Sequence, residues 1–120
     1  LTPQAHDKLV SRSSHLPHVV AAELATLVLA PQHPKEQAML CANGFRDTTR
    51  IASGSPEMWR DIALANRDNL VQALDGFMEG LKDFRRMLQD GDAETLTKFF
   101  EQAKQRRDGW SQKAGTISPE

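Results

Sequence analysis

Tyrosine is absent, cysteine occurs once, at Cys41, and neither sign of charge prevails. Fifteen lysines and arginines stand against 16 aspartates and glutamates, a formal net charge of −1. A lone cysteine excludes an intrachain disulfide and fits a reducing, cytoplasmic setting. The charge balance gives no reason to expect nucleic acid or an anionic membrane as partner. No apolar run approaches the ~20 residues of a bilayer span. Val19–Ala30 is too short, and Glu23 interrupts it. The first residues lack the basic region of a signal peptide. Neither GxGxxG nor GxxxxGK occurs, so no phosphate-cradling glycine loop is encoded. β-branched residues never alternate long enough to make a strand. An all-α reading remains, for a chain of 120 residues that can enclose one modest core. It opens on Leu1 rather than Met, and so reads as a piece of a longer polypeptide.

The first helical segment runs from about Pro3 to Ala30. Thr2 is placed to cap it and Pro3 to occupy its first position. Leu9, Val10, Leu16, Val20, Leu24, Leu27 and Val28 recur at helical spacing. Pro17 lies inside this pattern and predicts a kink or break near Leu16, because its ring lacks an N–H and crowds the preceding turn. A turn at Ala30–Pro34 leads to a short helix over about Lys35–Ala42, which Asn43-Gly44 is expected to end. Asp47 or Thr48 caps a further short helix that includes Arg50, and Ser53-Gly54 stops it.

Ser55, Pro56 and Glu57 then form a helix start. A single helix is predicted over about Pro56–Gln89. Ala63, Leu70, Phe77 and Phe84 fall on one seven-residue series, and Leu74, Leu81 and Leu88 on the interleaved one. Such a helix, roughly 34 residues, would reach about 50 Å at 1.5 Å per residue. A compact domain of this size has a radius of gyration of only about 14 Å. The length therefore argues for a second subunit that covers the helix. Gly91 breaks the pattern, Asp92 caps the next helix, and Leu96, Phe99, Phe100, Ala103 and Trp110 carry it over about Ala93–Trp110. Residues 1–110 read as the helical domain and 111–120 as a polar tail or linker.

Two groups could carry chemistry. Ser14, His15 and His18 surround Pro17, and Ser14 and His18 share a side of the helix if Pro17 only bends it. A solvated face, a hydrogen-bonded core histidine and a ligand-binding group all satisfy that spacing. The pair His15/His18 suits one metal ion, but no carboxylate or thiol completes a set, and no metal is expected. Arg46 and Arg50 form the second group. A guanidinium matches a carboxylate bidentately, yet surface pairs such as Arg46–Asp47 or Arg50–Glu57 fit the spacing as well.

Three blocks, taken together, sharpen this. "HD" at His6-Asp7, "SHLPH" at Ser14–His18 and "GFRDTTRIA…PEMWRDI…N" from Gly44 to Asn66 resemble the C-terminal helical domain of the prephenate dehydrogenase family. The resemblance extends over about His6–Trp110. It implies a parent enzyme that oxidatively decarboxylates prephenate to 4-hydroxyphenylpyruvate with NAD(P)+ in tyrosine biosynthesis, or treats the amino analogue arogenate in the same way. It implies a homodimer, and a separate nucleotide-binding domain that this chain lacks. The chain alone is then expected to hold no cofactor and to be inactive.

By the same resemblance Arg50 grips a substrate carboxylate, His18 and Ser14 hydrogen-bond the substrate, His6 is a pocket-side histidine, and Trp59 matches a tryptophan near the cleft that the neighbouring subunit can supply. Asn43 departs from the glycine of many relatives. "QKAGTISPE", Gln112–Glu120, resembles the link to an ACT regulatory domain in some members. A freestanding helical interaction module and a related dehydrogenase for another acid are the competing readings.

Overall fold

A computed structural model describes residues 1–116, and side chains through Ser111. All regular structure among them is helical: α1 (Pro3–Val10), a π-helical turn (Ser11–His15), α2 (Leu16–Val28), α3 (Lys35–Met39), α4 (Asn43–Thr49), a 3-10 turn (Arg50–Ser53), α5 (Pro56–Ala65), α6 (Arg67–Asp90) and α7 (Ala93–Thr116). The chain forms two compact units, Leu1–Gly76 and a second that begins at Phe77.

In the first unit, Thr2 caps α1 by accepting from the Ala5 N–H at 3.1 Å, with Pro3 in the first turn. Pro17 neither snaps nor simply bends the segment. The helix widens ahead of it into one π turn, in which the Leu16 N–H reaches back to the Ser11 carbonyl. The wider turn gives the proline ring room and leaves α2 to start afresh with Pro17 in its first turn. Ser11 faces inward there, 1% exposed, with its hydroxyl donating to the Lys8 carbonyl at 2.6 Å.

The expected stop at Asn43-Gly44 is a start instead. Ala42 has extended ψ, the Arg46 N–H bonds to its carbonyl at 3.0 Å, and Asn43 and Gly44 are the first residues of α4. Neither has positive φ, a conformation found among the described residues only at Gly91. The hydroxyls of Thr48 and Thr49 then bond back to the carbonyls of Gly44 and Phe45, both at 2.7 Å. Such back-bonding loosens a helix, and the chain tightens into the 3-10 turn that carries Arg50. Arg50 therefore follows α4 rather than lying within it. α2 packs against both α4 and this turn.

Ser55 caps α5, accepting from the Met58 N–H at 3.3 Å, with Pro56 in the first turn. The single long helix predicted from Pro56 does not form. Asn66, with φ −120° and ψ 33°, divides it into α5 and α6. Its side chain is drawn aside to Asp7 and His15, and a residue with modest helix propensity yields at that point. The length argument for a second subunit falls with that helix. Ala21, 1% exposed, and Leu70, 6% exposed, are the buried apolar residues of this unit.

The second unit is built on the end of α6 and on α7. Gly91, at φ 65°, closes α6: its N–H bonds to Leu88 O, and that of Asp92 to Met87 O. This is the Schellman pattern, which needs a left-handed residue. Asp92 caps α7 through the N–H groups of Glu94 at 3.0 Å and Thr95 at 3.3 Å. Phe84, Phe99 and Phe100 form an aromatic cluster with centroids 4.7–5.7 Å apart. Phe77, Leu81, Leu88, Phe100 and Trp110 remain exposed. α7 continues to Thr116, past the Trp110 where periodicity put its end. Ile117–Glu120, the end of the expected linker, lie outside the described residues.

Candidate functional site

The π turn, the start of α2, the 3-10 turn and the first turns of α5 enclose a cleft of about 580 Å³. Ser13, Ser14, Pro17, His18, Arg50, Ile51, Ser53, Gly54 and Trp59 line it. Ligand pockets for small molecules commonly measure about 300–1,000 Å³. The extra residue of the π turn resets the helical phase just before Leu16, and Ser14 and His18 open onto the same cleft.

His18 lies face to face with Trp59, ring centroids 3.6 Å apart and planes 15° apart. The imidazole is buried, and that desolvation lowers its pKa from the ordinary 6.5. At neutral pH the uncharged form therefore predominates, with one ring nitrogen to donate and one to accept. Gly54 makes the stack possible. A Cβ there would sit 3.0 Å from Trp59 Nε1 and 3.3 Å from His18 Cε1. Arg50 is exposed at the cleft wall, and among the described residues no carboxylate pairs with it. The Arg50–Glu57 pair allowed by spacing does not form. Glu57 instead accepts from the Ser55 hydroxyl at 3.4 Å.

Behind the stack lies a smaller apolar cavity of about 310 Å³, which shares His18, Gly54 and Trp59 with the cleft. His15 lines it and meets Trp59 edge-on at 6.2 Å. His6 does not line the cleft; it is exposed, with Nδ1 3.5 Å from Asp7 Oδ1. The structure thus brings Ser14, His18, Arg50 and Trp59 around one concavity and leaves His6 out. Gly54 and Asn66 also serve the site, and neither stands out in the sequence as a site residue. The signal for Asn66 is a helix-weak residue within a heptad run, and the Ser53-Gly54 pair reads only as a stop.

A family model for the prephenate dehydrogenase dimerization domain matches residues 2–102. The chain belongs to the prephenate dehydrogenase dimerization domain family. It is 42% identical over 113 residues to the prephenate dehydrogenase of Bacillus subtilis, a match to 91% of this chain and 30% of that protein. Among solved structures, Synechocystis arogenate dehydrogenase superposes with a TM-score of 0.84 at 27% identity, over 92% of this chain and 41% of that one. A. aeolicus prephenate dehydrogenase, crystallised with hydroxyphenyl propionate and NAD+, superposes at 0.83 with 33% identity, over 91% and 38%. The chain spans less than half the length of each of these relatives. The family is the one indicated by the His6-Asp7, Ser14–His18 and Gly44–Asn66 blocks, and the all-α class holds with it. Among the described residues, no helix is long and apolar enough to cross a membrane.

Proposed function

We propose that this chain supplies one wall of the substrate cleft, and the subunit contact, of a homodimeric dehydrogenase. Its substrate is prephenate or the amino analogue arogenate. The parent reaction takes prephenate to 4-hydroxyphenylpyruvate and CO2 with NAD(P)+ as oxidant, in tyrosine biosynthesis. A dinucleotide does not fit the residues present here. The sequence has no phosphate-binding glycine loop and the described residues contain no strand–turn–helix unit to cradle a pyrophosphate. The oxidant is bound outside this chain.

The observation that carries the proposal is the placement of Arg50 on the same cleft as Ser14 and His18. Prephenate carries two carboxylates, and an unpaired guanidinium is the planar fork suited to one of them. Ser14 and neutral His18 offer hydrogen bonds that orient the anion without adding charge. Trp59 fixes the His18 ring plane. Such positioning contributes to rate by holding the reacting carbon in one place.

Support for the subunit contact comes from Phe77, Leu81, Leu88 and Phe100, large apolar side chains left exposed on a domain whose family is named for dimerization. Titrating the chain with hydroxyphenyl propionate in a calorimeter tests the cleft. Binding is expected, and Arg50→Ala should weaken it by about 1 kcal/mol, because an exposed charged contact contributes less than a buried one. Binding that ignores Arg50→Ala overturns the role of Arg50. No binding by the intact dimer favours the freestanding interaction module.

A further inference from the structure

Asn66 is the one point where the apolar heptad pattern continues and the helix does not. Its carboxamide explains why. Nδ2 donates to the Asp7 carbonyl at 2.8 Å and lies 3.2 Å from His15 Nδ1, while Oδ1 accepts from Asn69 Nδ2 at 2.9 Å. These contacts decide which end of the amide is which. A carbonyl oxygen can only accept, so the group facing Asp7 is the NH2. Oδ1 then faces Asn69 and accepts from its Nδ2. The second amide hydrogen is then directed at His15, whose Nδ1 must be an unprotonated acceptor.

We propose that Asn66 is a positioning residue: its amide holds His15 as the neutral Nε2–H tautomer and so braces the His15–Trp59–His18 ring assembly that borders the Arg50 cleft. The two bonds to Asp7 and His15 cross 59 and 51 residues of sequence and tie the α5–α6 junction to α1 and to the last residue of the π turn. His15 meets Trp59 edge-on, and Trp59 stacks on His18. A displaced His15 therefore releases the indole that sets the His18 plane. The consequence for ligand binding rests on the cleft reading above; the tautomer does not.

The test is long-range 1H–15N spectroscopy of the histidine rings in the intact chain at about pH 8, above the ordinary imidazole pKa. The wild type should show His15 with bare Nδ1 and protonated Nε2, and both Asn66 amide hydrogens protected from exchange. Free imidazole side chains also lean towards Nε2–H, so the discriminating observation is Asn66→Asp. A carboxylate offers no hydrogen at this pH and accepts one from Nδ1, so the tautomer should invert. The same variant should bind hydroxyphenyl propionate more weakly than wild type. Retention of Nε2–H in Asn66→Asp, or a freely exchanging Asn66 amide in the wild type, overturns the proposal. Inversion with unchanged affinity overturns the brace. If Asn66→Asp does not fold, the wild-type amide protection and its loss in His15→Ala decide the question alone. A wild type that binds no ligand refutes the cleft reading, and the tautomer still decides for or against Asn66.

Discussion

The imidazole of His18 and the indole of Trp59 are stacked, centroids 3.6 Å apart and planes 15° apart, between residues 41 positions distant in the chain. This contact joins α2 to α5, and both rings line the cleft as well as the smaller, more apolar cavity. Its loss has calculable consequences for both stability and shape.

Trp59→Ala should destabilise the chain by about 3 kcal/mol, the lower end for a tryptophan truncation because the ring is only half-buried. Trp59→Phe keeps a stacked ring and should recover most of that loss. Urea unfolding at one fixed protein concentration measures both, since a dimer's apparent stability depends on concentration.

Stability should fall with acid in a way that depends on His18. Burial lowers its folded-state pKa, so the unfolded chain binds the proton more readily. Above pH ~6.5 both states are neutral and the stability is intact. As pH drops through 6.5 towards the lower folded value, the unfolded state gains. Besides His18, the ionisable groups that line the cleft and the cavity are His15 and Arg50. His18→Gln should flatten the slope between pH 8 and pH 5.5 relative to wild type, while His6, His15 and His33 remain in both proteins. Equal slopes would show that His18 does not contribute.

Gly54→Ala probes close approach rather than backbone freedom, since Gly54 has φ −67°. The added methyl would lie 3.0 Å from Trp59 Nε1 and 3.2 Å from Cδ1. The indole must tilt away from His18. Overpacking of this kind costs about 1–3 kcal/mol. The variant should melt earlier and show an altered Trp59 fluorescence spectrum, with Trp110 as the unchanged background emitter.

The apolar face of the second unit should govern association. Leu81 and Leu88 are 52% and 55% exposed and belong to the same seven-residue series. Replacing both with aspartate would bury two unpaired charges in any interface that uses them. Sedimentation equilibrium should report a monomer for Leu81→Asp/Leu88→Asp and a dimer for wild type. A dimer that survives places the contact elsewhere.

Signals that act within one or two turns were readable directly. Thr2, Ser55 and Asp92 cap the helices they were expected to cap, because a side-chain oxygen satisfies a nearby backbone N–H whatever lies beyond. Gly91 ends α6 for an equally local reason. Asn43-Gly44 misled because its tolerance of positive φ permits a stop without imposing one. The sequence blocks point to Ser14, His18, Arg50 and Trp59, and the structure places these four on one cleft. The same blocks point to His6, and its exposed place beside Asp7 sets it apart from them.

Composition and helical periodicity by themselves determined an all-α chain, its capped starts and the apolar stripe of α6. They act through the short-range geometry of a single helix. The π turn ahead of Pro17, the break at Asn66 and the seat of His18 against Trp59 were decided only in three dimensions. Each depends on a partner tens of residues away, or on how a crowded ring is relieved. Neither a long-range hydrogen bond nor a packing contact leaves a period in the sequence.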